Sequence, residues 1–152
     1  NPEGGVRIDR TVGLVTVEDV AKTYDFGPSH PLRPERVLYT YEHVETLGLG
    51  ALSHVRELAG RSAEDEEILR AHASDYVDVV KGLDWGTVPA GHAREYGLGT
   101  PDNPIFPNMH DAASAVCGAT LVAAAAVAAG EVNYAFNPAG GLHHARRAEA
   151  SG

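Results

Sequence analysis

Apolar positions along this chain switch between strand-like runs and helix-like spacing. Gly13-Leu14-Val15-Thr16-Val17 is a short β-branched run and predicts a first strand. Pro34 stands where the first turn of a helix accepts proline, and Val37, Leu38, Tyr41, Val44 and Leu47 give that helix one apolar face up to Gly48. Ser62 and Asp65 have capping-box spacing and predict a short helix through Arg70. Ser74 predicts the cap of another helix, with Tyr76, Val77, Val80 and Leu83 facing inward. Residues 86–108 are rich in glycine and proline and show little periodicity, which reads as a long loop of the kind that is usually functional. Residues 111–129 predict an alanine-rich helix with Gly118 inside, small enough to pack closely against a sheet. Gly130 ends it, and residues 132–136 predict a second strand.

The order strand, helices, strand predicts α/β architecture. Asn137-Pro138-Ala139-Gly140-Gly141-Leu142-His143-His144 follows the second strand directly. A strand end running into a glycine-bearing polar loop is where open parallel sheets bind ligands. Composition fits a folded soluble protein: 152 residues, 43% hydrophobic and 22% charged. The net charge is −9, and the densest positive cluster is Arg146-Arg147, so no basic stripe is present. That disfavours direct nucleic-acid binding.

Cys117, the single cysteine, has small apolar neighbours and predicts a buried thiol in a reducing compartment. The start, Asn1-Pro2-Glu3-Gly4-Gly5, has no signal-peptide pattern. The apolar tract 119–129 is too short to span a bilayer, so a cytoplasmic protein without membrane association is expected. The chain lacks an initiator methionine and stops just after a charged stretch, which together predict a fragment.

Three constellations could carry chemistry. The sharpest is His143-His144: two adjacent imidazoles on an irregular backbone can divide labour, one taking a proton from an attacking water and the other protonating a leaving group. Gly140 and Gly141 would let the backbone approach a ligand. Without context such a pair reads as a solvated loop. Adjacent histidines seldom ligate one metal, and His30, His43, His54, His72, His92 and His110 are scattered, so no metal cage is legible in this chain. His43 and His54 read as helix-surface residues.

The second constellation, His30-Pro31-Leu32-Arg33-Pro34-Glu35-Arg36, uses two prolines to hold Arg36 in a defined direction; alone, Arg36 reads as a salt-bridged helix-surface arginine. In the third, Gly97-Leu98-Gly99-Thr100-Pro101-Asp102-Asn103-Pro104, Asp102 can accept hydrogen bonds from a substrate backbone or stabilise its own turn. A Gly-x-Ser-x-Gly elbow, a phosphate-cradling loop with lysine and a Cys-x-x-Cys pair are absent from the sequence.

These stretches, in order, resemble the histone deacetylase superfamily. Tyr24 to Arg36 resembles its N-terminal signature, within that superfamily most like the bacterial acetoin-utilisation deacetylases. Tyr96-Gly97-Leu98-Gly99 with Asp102-Asn103-Pro104 resembles the substrate-rim loop, and Gly140 through Arg147, continued by Glu149-Ala150-Ser151-Gly152, resembles the catalytic loop. The likeness implies a three-layer parallel sheet flanked by helices, of the arginase/deacetylase type, with residues 1–152 as the N-terminal part of a single catalytic domain and the C-terminal half absent.

The implied activity is hydrolysis of the acetyl-lysine amide of a protein at one zinc. By resemblance His144 is the general base, and His143 stabilises the tetrahedral state and helps protonate the leaving amine. Asp102 holds the substrate backbone, and the Gly152 carbonyl accepts the substrate amide N–H. Arg36 sits at the foot of an internal channel walled by Gly140, Gly141 and Leu142; Leu142, tryptophan in many eukaryotic relatives, should widen that channel. The family's zinc ligands lie downstream of the catalytic loop, so this chain alone is expected to bind no catalytic zinc, to be inactive and to expose an apolar sheet edge. Two other readings stay open: deacetylation of small acetylated amines such as polyamines, and a non-catalytic acyl-lysine binding or assembly module. Polyamine-type relatives often read Pro-Gly-His-His, whereas Gly-Leu-His-His here favours the protein-directed branch.

Overall fold

The computed structural model describes residues 10–17, 24–140 and 145–151. Its elements are β1 (Val12–Thr16), α1 (Glu35–Thr46), a 3-10 turn (Leu49–Ala51), β2 (Val55–Ala59), α2 (Asp65–Ile68), α3 (Ser74–Asp84), α4 (Ala90–Ala93), a second 3-10 turn (Arg94–Tyr96), α5 (Met109–Ala128) and β3 (Tyr134–Phe136). The strands make one parallel sheet in the order β2-β1-β3, with Val12 opposite both Val55 and Tyr134. Parallel neighbours need long crossovers, and the helices occupy them. The parallel α/β layering expected from the sequence is therefore present.

Strand alternation decides which face of β1 is covered. Gly13, Val15 and Val17 point toward α5 and are buried, Val15 completely, in a cluster with Val116, Ala119 and Ala139. Gly118 explains how close the helix comes. A Cβ built there would stand 2.0 Å from the Arg61 carbonyl oxygen, so any side chain would push α5 off the segment that leaves β2. The Ala63 N–H donates to the Ser114 carbonyl across the same contact, at 2.8 Å. On the other side of the strand end, the Tyr41 hydroxyl of α1 donates to the Val15 carbonyl at 2.7 Å and accepts the Val17 N–H at 3.2 Å. The opposite face of the sheet is open at β3, where Tyr134 and Phe136 are about half exposed.

Several expectations shift in detail. β2 reads Val-Arg-Glu-Leu-Ala and escapes the sequence patterning because it is an edge strand whose charged centre faces solvent. The capping pair of α2 is Glu64 with Glu67, not Ser62 with Asp65; the Glu67 carboxylate accepts the Glu64 N–H at 2.8 Å and also holds Arg61. Ser74 lies inside α3, with Ala73 at the cap position. The long loop contains α4 and a 3-10 turn. His43 is on the exposed surface of α1 as expected, but His54 lies in the turn before β2 rather than on a helix. Cys117 is exposed on α5 rather than buried; partial desolvation and the nearby Glu67 charge nevertheless push its thiol up.

α5 is longer than the alanine tract suggests, because Met109 and His110 belong to it. By length and composition it could cross a membrane; here it lies on the sheet, and its first turn is bonded to protein. Asn108 at the cap has φ 58° and no capping side-chain bond. The donors are satisfied instead by Asp84, at the end of α3, whose two carboxylate oxygens accept the N–H groups of Met109 and His110, each at 2.9 Å. A carboxylate at a helix N-terminus is favoured by the local dipole as well as by the bonds. Asp84→Ala is expected to lower stability of the full-length protein by about 1–2 kcal/mol, read as a lower urea midpoint with an unchanged slope.

Candidate active site

The three motif regions meet around one cavity of about 440 Å³. Tyr24 and Phe26 come from the first motif, Leu98, Asn103 and Pro104 from the second, and Ala145 and Ala150 from the segment after the histidine pair. Proline and aromatic contacts shape the first contribution. Tyr24, Phe26 and Phe106 pack ring against ring with centroids 5.2–5.4 Å apart, and Phe26 meets the His30 ring edge-on at 4.6 Å. His30 Nδ1 accepts the Leu32 N–H at 3.0 Å, which fixes the turn between the prolines. Arg33 donates to the Pro28 carbonyl and, through two nitrogens, to Glu35, which holds the Glu35 carboxyl below its usual range.

The rim turn is tied internally. Thr100 Oγ1 accepts the Asn103 N–H at 3.0 Å, and the Asn103 carbonyl accepts the Gly99 N–H at 2.8 Å. Asp102 takes no part in these bonds; it is exposed, and among the described residues its carboxylate has no hydrogen-bond or ionic partner. A role in stabilising its own turn is thus not what Asp102 does, and the carboxylate stands available at the surface.

The third segment is fastened on two sides. The Ala150 N–H donates to the Tyr96 carbonyl at 2.8 Å. Gly97 makes that contact possible: its φ is +72°, and a Cβ there would lie 2.1 Å from the Ala150 carbonyl oxygen. On the other side the Ala73 N–H donates to the Arg147 carbonyl at 2.8 Å, and His72 Nδ1 lies 3.0 Å from the Arg146 carbonyl. Upstream, Asn137 Oδ1 accepts the Ala139 N–H at 3.1 Å while its amide donates to Thr120 Oγ1 of α5 at 3.0 Å. The chain leaving β3 therefore starts from a fixed turn that includes the exposed Gly140.

Of the other residues singled out in the sequence, Gly141, Leu142, His143, His144 and Gly152 lie outside the described residues. Arg36 is exposed on the first turn of α1, without an ion-pair partner among the described residues. The salt bridge at that turn belongs to Arg33 and Glu35 instead.

Sequence reasoning missed two polar contributors to the cavity, His110 and Ser114, and quoted Asn103 only as part of the rim motif. Asn103 Nδ2, His110 Nε2 and Ser114 Oγ are buried without a hydrogen-bond partner among the described residues, and all three residues line the cavity. His110 and Ser114 are four apart on α5, so they share a face. The helical pattern alone marked that face as core. His110 also has acidic neighbours: Asp65, held by Lys81, is 4.0 Å from Nε2, and Asp111 is 3.5 Å from Nδ1. The Lys81 hydrogen bond keeps the Asp65 carboxyl below its usual range. Among the described residues no cluster of three or more histidine, cysteine, aspartate or glutamate side chains could hold a metal ion.

Two outcomes follow from this wall. Burial, with a smaller effect of the neighbouring Tyr76, pushes the Tyr24 phenol up to about 12 from 10.0. The folded state thus retains that proton more strongly than the unfolded chain, so the stability it contributes is complete below about pH 10 and is lost as pH rises toward 12. Alkaline absorbance titration of the wild type against Tyr24→Phe should show one late-ionising tyrosine missing from the variant. Gly97→Ala combines a left-handed backbone with a clash against the Ala150 carbonyl; it is expected to cost at least about 2 kcal/mol in thermal or chemical denaturation of the full-length protein.

The histone deacetylase domain family matches residues 30–152. The acetoin utilization protein AcuC of Bacillus subtilis strain 168 is 42% identical over 131 residues, covering 86% of this chain and 33% of the relative. Histone deacetylase B of Dictyostelium discoideum is 34% identical over 135 residues, covering 85% and 30%. In three dimensions the chain is similar to the crystal structure of an HDAC homologue from Aquifex aeolicus, with a TM-score of 0.79 and 32% identity, over 94% of this chain and 37% of that one. The parallel sheet and its helices are thus part of an arginase/deacetylase fold, and the chain spans about a third of the length of these relatives. On the extent of the match and the shared fold, the chain belongs to the histone deacetylase domain family.

Proposed function

We propose that the full-length protein hydrolyses the amide of an acetylated lysine side chain in a protein substrate. The observation that carries this reading is the convergence of the N-terminal signature, the rim turn and the segment flanking the histidine pair on one largely apolar cavity. An apolar wall suits the methylene stem of a lysine, and a few convergent polar groups suit its amide.

In this reading His144 takes the proton from the attacking water. His143 stabilises the charge that develops on the tetrahedral centre and delivers a proton to the leaving amine, after which lysine and acetate separate. Asp102 accepts hydrogen bonds from the substrate backbone; its exposed, unpartnered carboxylate supports that role. The Gly152 carbonyl accepts the substrate amide N–H, and Arg36 belongs to the exit path for acetate, bordered by Gly140, Gly141 and Leu142.

Zinc is the metal the family resemblance implies. The described residues do not fit it, because they gather no ligand set; we assign its ligands to the remaining length that the relatives possess and derive no step through it. The 152-residue chain by itself is accordingly proposed to be inactive.

The test is turnover of an acetyl-lysine peptide by the full-length protein, beside an acetylated polyamine. The peptide should be the better substrate, and His144→Ala should lower kcat by about 10²–10⁴ with bound metal unchanged. Asp102→Ala should act mainly through a raised KM. Undiminished turnover by the His144 variant would remove the assigned base, and preference for the polyamine would move the protein to the small-amine branch.

A further inference from the structure

We propose that His72 is a positioning residue that holds the segment 145–150, the described part of the catalytic loop, in place. The proposal rests on the deacetylase reading above for its effect on turnover, but its geometry stands apart from it. A backbone carbonyl can only accept a hydrogen bond, so the 3.0 Å contact from His72 to the Arg146 carbonyl requires the proton on Nδ1. The ring cannot swing away freely, because it meets the Tyr76 ring edge-on with centroids 5.6 Å apart, and Tyr76 is buried in the core. The next residue adds a second point: the Ala73 N–H donates to the Arg147 carbonyl at 2.8 Å. Two consecutive residues just before α3 thus hold two consecutive carbonyls of the loop.

The held piece behaves as a unit. Arg146 N–H donates to the Glu149 carbonyl at 2.7 Å, the Arg146 guanidinium pairs with Glu149 at 2.8 Å, and Ala145 bridges Ala150 in antiparallel fashion. At its far end Ala150 is bonded to Tyr96 and packed against Gly97. The bonds from Ala73 and Ala150 join backbone to backbone and do not depend on side-chain identity. His72 supplies a side-chain bond across the same seam. His144 lies two residues before Arg146 in the sequence. For an acid–base pair that must meet a reacting amide, displacement of about 1 Å already costs roughly a hundredfold.

Two substitutions separate the bond from the ring. His72→Phe keeps an aromatic ring against Tyr76 and removes the donor; His72→Asn loses the ring and keeps an N–H at the same reach. In the full-length protein His72→Phe is expected to lower kcat by about tenfold or more, with KM within about twofold and metal content unchanged, while His72→Asn stays within about threefold of wild type. A second readout needs no activity. Limited trypsinolysis at the exposed Arg146-Arg147 pair, followed by mass spectrometry, should be at least about fivefold faster in the Phe variant than in wild type or the Asn variant, because cleavage samples the opened loop.

Wild-type kcat and cleavage in His72→Phe would overturn the proposal. Equal losses in both variants would overturn it in favour of ring packing. A wild-type protein without deacetylase activity would defeat the functional reading, and the trypsin comparison would still decide whether His72 holds the loop.

Discussion

Close approach of an alanine-rich helix to a central parallel strand is the constraint on which the rest of this structure depends. Val15 and Ala119 are both fully buried in that contact. It exists because Gly118 lets the helix come within reach of the backbone leaving β2. Burying small residues yields little area each, roughly 25 cal/mol per Å² of apolar surface, so the layer also relies on directed bonds. Asp84 holds the N-terminal end of α5, Ser114 offers a carbonyl to Ala63, and Thr120 receives the Asn137 amide. The α5 residue in each of those bonds, Met109, Ser114 or Thr120, lines the cavity. The helix is therefore both the floor of the sheet layer and one wall of the cavity.

The cavity combines two environments that folding normally keeps apart. Its aromatic side, Tyr24, Phe26, Tyr76 and Phe106, belongs to the same cluster as Met109 and Leu98 and is dry enough to raise the Tyr24 phenol. Its α5 side presents buried polar atoms of His110 and Ser114 that have no hydrogen-bond partner among the described residues. Unpaired buried donors and acceptors cost stability. That arrangement agrees with a site for an amide on an apolar stem.

Much of this was legible in the sequence, for identifiable reasons. Helical spacing marked Val77 and β-branched residues marked β1, because those elements each bury one face, while small residues marked α5; the apolar spacing of α1 was read too, although that helix leaves no residue fully buried. β2 was not legible, since Arg56 and Glu57 face solvent on an edge strand and break the pattern. Ser62 attracted the cap assignment by residue type, whereas reciprocal bonding between Glu64 and Glu67 decides it. The motifs of the site could be read as words, but their attachment could not. The groups that fasten the loop to its surroundings are largely backbone carbonyls and N–H groups of Tyr96, Arg146, Arg147 and Ala150, which carry no sequence signal. Asp84 escaped notice for the same reason, as its partners are backbone donors on another helix.

The strand order β2-β1-β3 has a consequence for how the protein is made. Among the described strands β1 is central in space but first in sequence, and Thr11 beside it bonds to Asn133, 122 residues later. During synthesis β1 emerges before either of its described partners. It gains β2 early and must wait for most of this chain before β3 can close its other side. At roughly 5–20 residues per second this leaves an apolar strand edge unpaired for several seconds or longer. Pairings so remote in sequence also form slowly.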